Sequence, residues 1–135
     1  MTSVDLVETS VITRLRKPTI QAAIQRRGVV LVRSVVSDLE IGFSARNAVE
    51  WDAMLHELEV FVEVPLSAAC VQRAKEVQRR LADRGLKGRK VPDLLIAASA
   101  EAVNATVVHY DGDFDLIAEV TGQPTRWVVP RGSID

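Results

Sequence analysis

The chain has 135 residues, 47% of them hydrophobic and 26% charged, which suits one domain spanning residues 1–135 and leaves little room for a second. Its 17 Lys+Arg and 18 Asp+Glu give a formal charge of −1, so composition points neither to a generally basic nucleic-acid binder nor to an acidic tail. A single cysteine, Cys70, and two histidines exclude an internal disulfide and a four-ligand structural zinc site of the usual kind.

Asp5 and Glu8 stand where a secretory signal would be basic and then apolar, and no apolar run approaches the roughly 18 residues of a membrane span. The expectation is a cytoplasmic protein without membrane association. Val4 to Glu8 reads as a first strand and Thr9 to Arg16 as a short helix, with Pro18 opening a second helix that closes at Gly28. Val29 to Val32 is apolar on both faces, as a strand buried within a parallel sheet must be. Ile41, Ala45, Ala48, Trp51, Leu55 and Leu58 recur at steps of three and four and predict one long helix from about Leu39 to Leu58. Phe61 to Val64 is the next strand.

Cys70, Ala74, Val77 and Leu81 form the apolar stripe of a helix ending at Arg84-Gly85, with Cys70 read as core packing. A short basic loop, Gly85 to Val91, leads to Pro92, which opens a helix rich in small residues. Thr106 to His109 is a strand, Asp111 to Asp115 a turn, Phe114 to Val120 a helical turn or two, and Arg126 to Val129 a last strand. Strands alternating with helices predict an α/β fold whose central, mainly parallel sheet is covered by helices.

In such folds ligands gather beyond the carboxyl ends of the strands, where strand order reverses. Glu8 ends the first strand, Glu40 opens the third helix, Asp93 opens the fifth, and Asp111, Asp113 and Asp115 follow the fourth strand. Each has a structural alternative. Ser37-Asp38-Leu39-Glu40 is a capping box, Asp93 suits a first helical turn, Asp111-Gly112 is a turn dipeptide, and Asp115 reads as solvated or as an N-cap. Glu8 is the harder one to explain, because a charge at the end of an apolar strand needs a partner if buried. Asp5, three residues earlier, falls on the opposite strand face. Carboxylates meeting at one place raise one another's pKa unless a cation neutralises them, and hard oxygen donors without His or Cys favour Mg²⁺ or Mn²⁺.

These residues resemble the PIN-domain ribonucleases, in particular the VapC toxins of bacterial toxin-antitoxin pairs. The likeness covers nearly the whole chain. Leu6-Val7-Glu8-Thr9-Ser10 is similar to the family's opening strand, which ends in Asp-Thr-Ser or Asp-Thr-Asn. Leu39-Glu40-Ile41-Gly42 matches its helix-borne Glu, and Pro92-Asp93-Leu94-Leu95-Ile96-Ala97-Ala98 its Asp at the head of an alanine-rich helix. Asp111-Gly112-Asp113-Phe114 matches its late D-x-D-F element, and Trp127, Pro130 and Gly132 resemble its tail. The resemblance implies a three-layer α/β/α fold and a Mg²⁺- or Mn²⁺-dependent endoribonuclease. Glu8, Glu40, Asp93 and Asp111 would be both catalytic and metal-binding, Asp113 would assist, and Thr9 or Ser10 would support them. It also implies an RNA substrate, a VapB-type antitoxin that covers the acids, and a homodimer. Two departures stand out: Glu8 replaces the family's Asp, and His109 replaces a hydroxyl, with hydrogen bonding or packing as its expected role.

From Arg73 to Lys90 there are eight Lys+Arg against two acids, a run leading straight to Asp93. Arg79, Arg80, Arg84, Lys87, Arg89 and Lys90 are therefore candidate RNA contacts, the alternative being a solvated helix face. Arg14, Arg16 and Lys17 form a weaker basic group near Glu8. Aromatic residues make up only 4% of the chain, which argues against extensive base stacking. Two rivals remain: a PIN domain that binds antitoxin and RNA but cleaves poorly because of Glu8, and a receiver-type phosphoacceptor domain. The latter expects adjacent acids at the first strand and a late Lys, and none occurs after Lys90.

Overall fold

The computed structural model describes residues 2–86 and 90–134. Five strands, β1 (Ser3–Val7), β2 (Val29–Ser34), β3 (Val62–Val64), β4 (Thr106–His109) and β5 (Thr125–Trp127), form one sheet in the order β3-β2-β1-β4-β5. Every neighbouring pair is parallel, with Leu6 opposite Val32 on one side and Val107 on the other. Strand alternation sends successive residues to opposite faces. Leu6, Val32 and Val107 enter one core, whereas Val7 and Val108 enter the other. Both faces of the central strands are thus covered, which is why their sequence shows no polar alternation.

Seven helices complete the layers: α1 (Thr9–Ile12), α2 (Pro18–Ile24), α3 (Val35–Gly42), α4 (Ala48–Glu57), α5 (Ala68–Asp83), α6 (Val91–Ala102) and α7 (Asp113–Thr121). One core takes Cys70, Ala74, Val77 and Leu81 from α5, with Leu94, Ile96 and Ala97 from α6 and Phe114 and Ile117 from α7. The opposite core takes Val11 and Ile12 from α1, Ile20 and Ile24 from α2, and Leu58 and Phe61 from the 3₁₀ turn before β3 and the residue after it. This is a three-layer α/β/α arrangement. None of the described helices is long and apolar enough to cross a membrane.

The single helix expected from Leu39 to Leu58 is two helices. Helix α3 already starts at Val35, where the Ser34 hydroxyl accepts the Val36 N–H at 3.1 Å. It ends at Gly42, and α4 restarts behind Asn47, whose side chain accepts the Glu50 N–H at 2.8 Å. The hairpin folds so closely that a Cβ at position 42 would collide with the Trp51 indole. Of that stripe only Leu58 is buried, with Ile41 and Leu55 packed partly against the same core, whereas Ala48 and Trp51 are exposed; periodicity alone registers neither the interruption nor the exposure. Ser37 is consequently not a cap, so the capping-box alternative for Glu40 falls. Other boundaries move as well: α1 stops at Ile12, α2 at Ile24 short of Gly28, β2 runs on to Ser34, β5 is Thr125–Trp127, and the expected turn at 111–115 already contains the start of α7.

Two buried, ion-paired carboxylates brace this frame. Asp5, 1% exposed, accepts from Arg26 at 2.8 Å and from Arg126 at 3.2 Å, tying β1 to β5 across β4. Arg33 grips Asp38 with two hydrogen bonds of 2.7 and 3.1 Å and also donates to the carbonyls of Leu58 (3.0 Å) and Phe61.

Candidate metal centre and active site

Strands β1 and β4 are neighbours in the sheet although β2 and β3 intervene in the chain, so strand order reverses between them. The crevice beyond their carboxyl ends is where an open parallel sheet exposes strand-end side chains to a ligand. Glu8, the residue after β1, is buried at 3% exposure and is the N-cap of α1. Its Oε2 accepts the Ser10 N–H at 2.9 Å and also the Ser10 hydroxyl. That hydroxyl in turn accepts the Tyr110 N–H at 2.8 Å, joining the ends of β1 and β4. Glu40, on α3, accepts from the Thr9 hydroxyl at 2.7 Å, and Thr9 also meets the Ser37 hydroxyl at 2.7 Å.

Asp93 lies in the first turn of α6, 3% exposed, and its Oδ2 is buried without a hydrogen-bond partner. Asp111 follows β4; its Oδ1 accepts the Asp113 N–H at 3.0 Å and so shapes the entry to α7. One carboxylate oxygen from each of Asp93, Asp111 and Asp113 falls within 4.8 Å of the others. Glu8 and Glu40 stand outside that trio but within its field. Burial lifts the Glu8 carboxyl to about 7 against the opposing hydrogen bonds of Ser10, and the charges of Asp93 and Asp111 add to the rise. Burial likewise lifts Asp93 to about 7, with Asp111, Asp113 and Glu40 adding to it and Lys90 opposing.

An orphaned buried carboxylate oxygen beside two further acids is costly unless something positive completes it. With oxygen the only donor type in the trio, the residues present fit a hard divalent cation such as Mg²⁺ or Mn²⁺.

His109 supports this site from below. It is fully buried, packs against Phe114 and Trp127 at ring-centroid distances of 5.3 and 5.0 Å, and accepts the Asp111 N–H on Nδ1 at 3.2 Å. Burial lowers its pKa, so the ring is neutral with its proton on Nε2, which faces Asp115 at 3.7 Å. The Nδ1 hydrogen bond and ring packing account for its burial, while its buried Nε2 has no hydrogen-bond partner. Asp115, expected to be solvated or a cap, instead accepts the Trp127 indole N–H at 3.0 Å. The sequence named Ser37 only as a cap and Asp115 only as a solvated or capping acid; their contacts with Thr9 and Trp127 carry no local signal.

The basic run is less open than its sequence implies. Arg73 is bound by Glu101 at 2.7 and 3.2 Å, and Arg80 by Glu76 at 2.7 Å. Arg79, Arg84 and Lys90 are exposed; Lys87 and Arg89 lie outside the described residues.

Comparison with known proteins fits this architecture. The PIN domain family model matches residues 6–120, and the chain belongs to that family. Ribonuclease VapC51 of Mycobacterium tuberculosis is 47% identical over 132 residues, 96% of each chain. Ribonuclease VapC18 of the same organism is 46% identical over 99 residues, covering 71% of this chain and 72% of that one. Among solved structures, VapBC2 from Rickettsia felis bound to a DNA fragment from the promoter superposes with a TM-score of 0.76 at 19% identity, covering 92% of this chain and 98% of the other. VapBC-1 from nontypeable Haemophilus influenzae gives 0.74 at 17% identity, covering 93% and 98%. At such identities the superpositions establish the shared fold.

Proposed function

We propose that the chain is a VapC-type ribonuclease, the toxin of a VapBC-type pair, and that it hydrolyses RNA phosphodiester bonds with a divalent metal. The observation that carries this is the meeting of Asp93, Asp111 and Asp113 around an unpartnered buried oxygen, in a chain 47% identical to a named ribonuclease. Asp93, Asp111 and Asp113 would hold Mg²⁺ or Mn²⁺ directly, and Glu8 and Glu40 complete the acidic wall. When bound, the ion supplies Lewis-acid charge at the reacting phosphodiester and favours ionisation of the attacking water. The chain's own residues fix the donors. Thr9 orients Glu40, Ser10 orients Glu8, and the His109 Nδ1 holds the backbone N–H from which Asp111 projects. Arg79, Arg84 and Lys90, with Lys87 and Arg89, would meet RNA phosphates along the approach.

A VapB-type antitoxin would inhibit by covering the acids, where a basic side chain finds complementary charge. The working form would be a cytoplasmic homodimer. A second reading, an attenuated nuclease, is favoured by Glu8, whose Oε2 is engaged by Ser10 and which adds no oxygen to the close trio.

The test is cleavage of labelled single-stranded RNA with Mn²⁺ or Mg²⁺. Chelation with EDTA, or the change Asp93→Asn, is expected to reduce cleavage by on the order of 100-fold. Cleavage that persists in EDTA, or is undiminished in Asp93→Asn, refutes the metal-dependent assignment.

A further inference from the structure

The segment after β5 is fastened back onto the site. Tyr110, between His109 and Asp111, donates its hydroxyl to the Ile134 carbonyl at 2.7 Å and accepts the N–H groups of Gly132 and Ile134 at 2.9 and 3.2 Å. The Ser133 N–H and hydroxyl donate to the Pro130 carbonyl at 3.0 and 2.6 Å, closing a turn that needs Gly132 at φ +79°. Arg131 rides on this turn. Its guanidinium lies over the Trp127 ring, 5.4 Å from the centroid, and its terminal nitrogens are 3.5 Å from the place a Cβ would occupy on Gly112. Gly112 separates Asp111 from Asp113, so a positive charge is held beside two of the clustered acids. Arg131 is exposed and makes no hydrogen bond or ion pair among the described residues, in contrast to Arg73 and Arg80.

We infer that Arg131 is a phosphate contact that seats the RNA strand against the acid cluster, an assignment resting on the nuclease reading above. A cluster of carboxylates repels a phosphodiester, and a neighbouring cation offsets that repulsion where the strand must enter. Stacking on Trp127 holds the guanidinium plane in place while leaving its planar fork of N–H donors open to phosphate oxygens. Arg131 attracts a polyanion, and its open fork of donors beside the acids favours RNA.

Arg131→Ala and Arg131→Lys decide the matter, with a short fluorescein-labelled single-stranded RNA of mixed sequence as probe. Binding is followed by anisotropy in EDTA across a salt series, and cleavage is followed in Mn²⁺. Arg131→Ala is expected to raise Kd and KM roughly tenfold, leave kcat and the melting temperature near wild type, and make the dependence of log Kd on log salt shallower by about 0.7. Arg131→Lys keeps the charge and should recover the salt slope with intermediate affinity. A wild-type Kd and slope in Arg131→Ala, or a weaker Kd with an unchanged slope, overturns the assignment. So does unchanged RNA binding accompanied by weakened capture of a polyglutamate peptide, which would make Arg131 a protein contact. A wild-type chain that binds the RNA but cuts nothing sinks the nuclease reading alone, and the binding arm still decides Arg131.

Discussion

At Glu8 the carboxylate that ends β1 also accepts the Ser10 N–H and so caps the helix that follows. Aspartate would cap as well, with its carboxylate drawn back by about 1.5 Å. Glu8→Asp should therefore change stability by less than about 1 kcal/mol. If the longer side chain attenuates the enzyme, the same change should raise kcat/KM for RNA several-fold in a Mn²⁺ titration; equal activity would show that the site accepts glutamate as it stands. Glu8, Asp93 and Asp111 could be picked out from sequence because each sits at the end of a strand or the start of a helix, where local pattern fixes the position. Arg131 could not. Its place depends on Tyr110 and Trp127, and its four-residue neighbourhood looks like any polar tail.

Helix α3 shows where pattern reading stops. Its apolar spacing runs on into α4, and the cues for the break, Gly42 and the Asn47 cap, matter only because Trp51 folds back over position 42. The same region conceals the Arg33–Asp38 pair, whose partners at Leu58 and Phe61 are some distance away in sequence. Burying a charge without its counter-charge is far costlier than burying neither. Asp38→Ala should accordingly destabilise the chain by roughly 3–5 kcal/mol in urea unfolding. The double change Arg33→Met with Asp38→Leu should cost less than Asp38→Ala alone; a double variant no more stable than the single would mean that the pair contributes through shape and not through charge.

Across the whole molecule, the acids couple stability to pH. Glu8 and Asp93 release their protons at about 7 in the folded chain, well above the ordinary carboxylate range near 4 of an unfolded one. The folded state thus holds more protons than the unfolded state between those values, and its stability falls as pH rises through that window. In EDTA the melting temperature should drop from pH 5 to pH 8. Mn²⁺ should restore it at pH 8 and do little at pH 5, where the carboxyls are protonated. Asp93→Asn should flatten the slope and gain roughly 1–3 kcal/mol at pH 8 while gaining nothing at pH 5. A melting temperature that climbs with pH in EDTA would contradict the burial of these groups. The parallel α/β layering was readable in advance because central strands must be apolar on both faces, whereas the pairing of β1 with β4 across the chain comes from the folded sheet.

The bond between Ser10 and Tyr110 links positions 100 residues apart, and the acids around it are spread from position 8 to position 113. A nascent chain that has made β1 but not yet β4 possesses Glu8 without Asp111 or Asp113. In that state Asp93 lacks its two neighbours, so the acid trio assembles only after β4 and the start of α7 have been made.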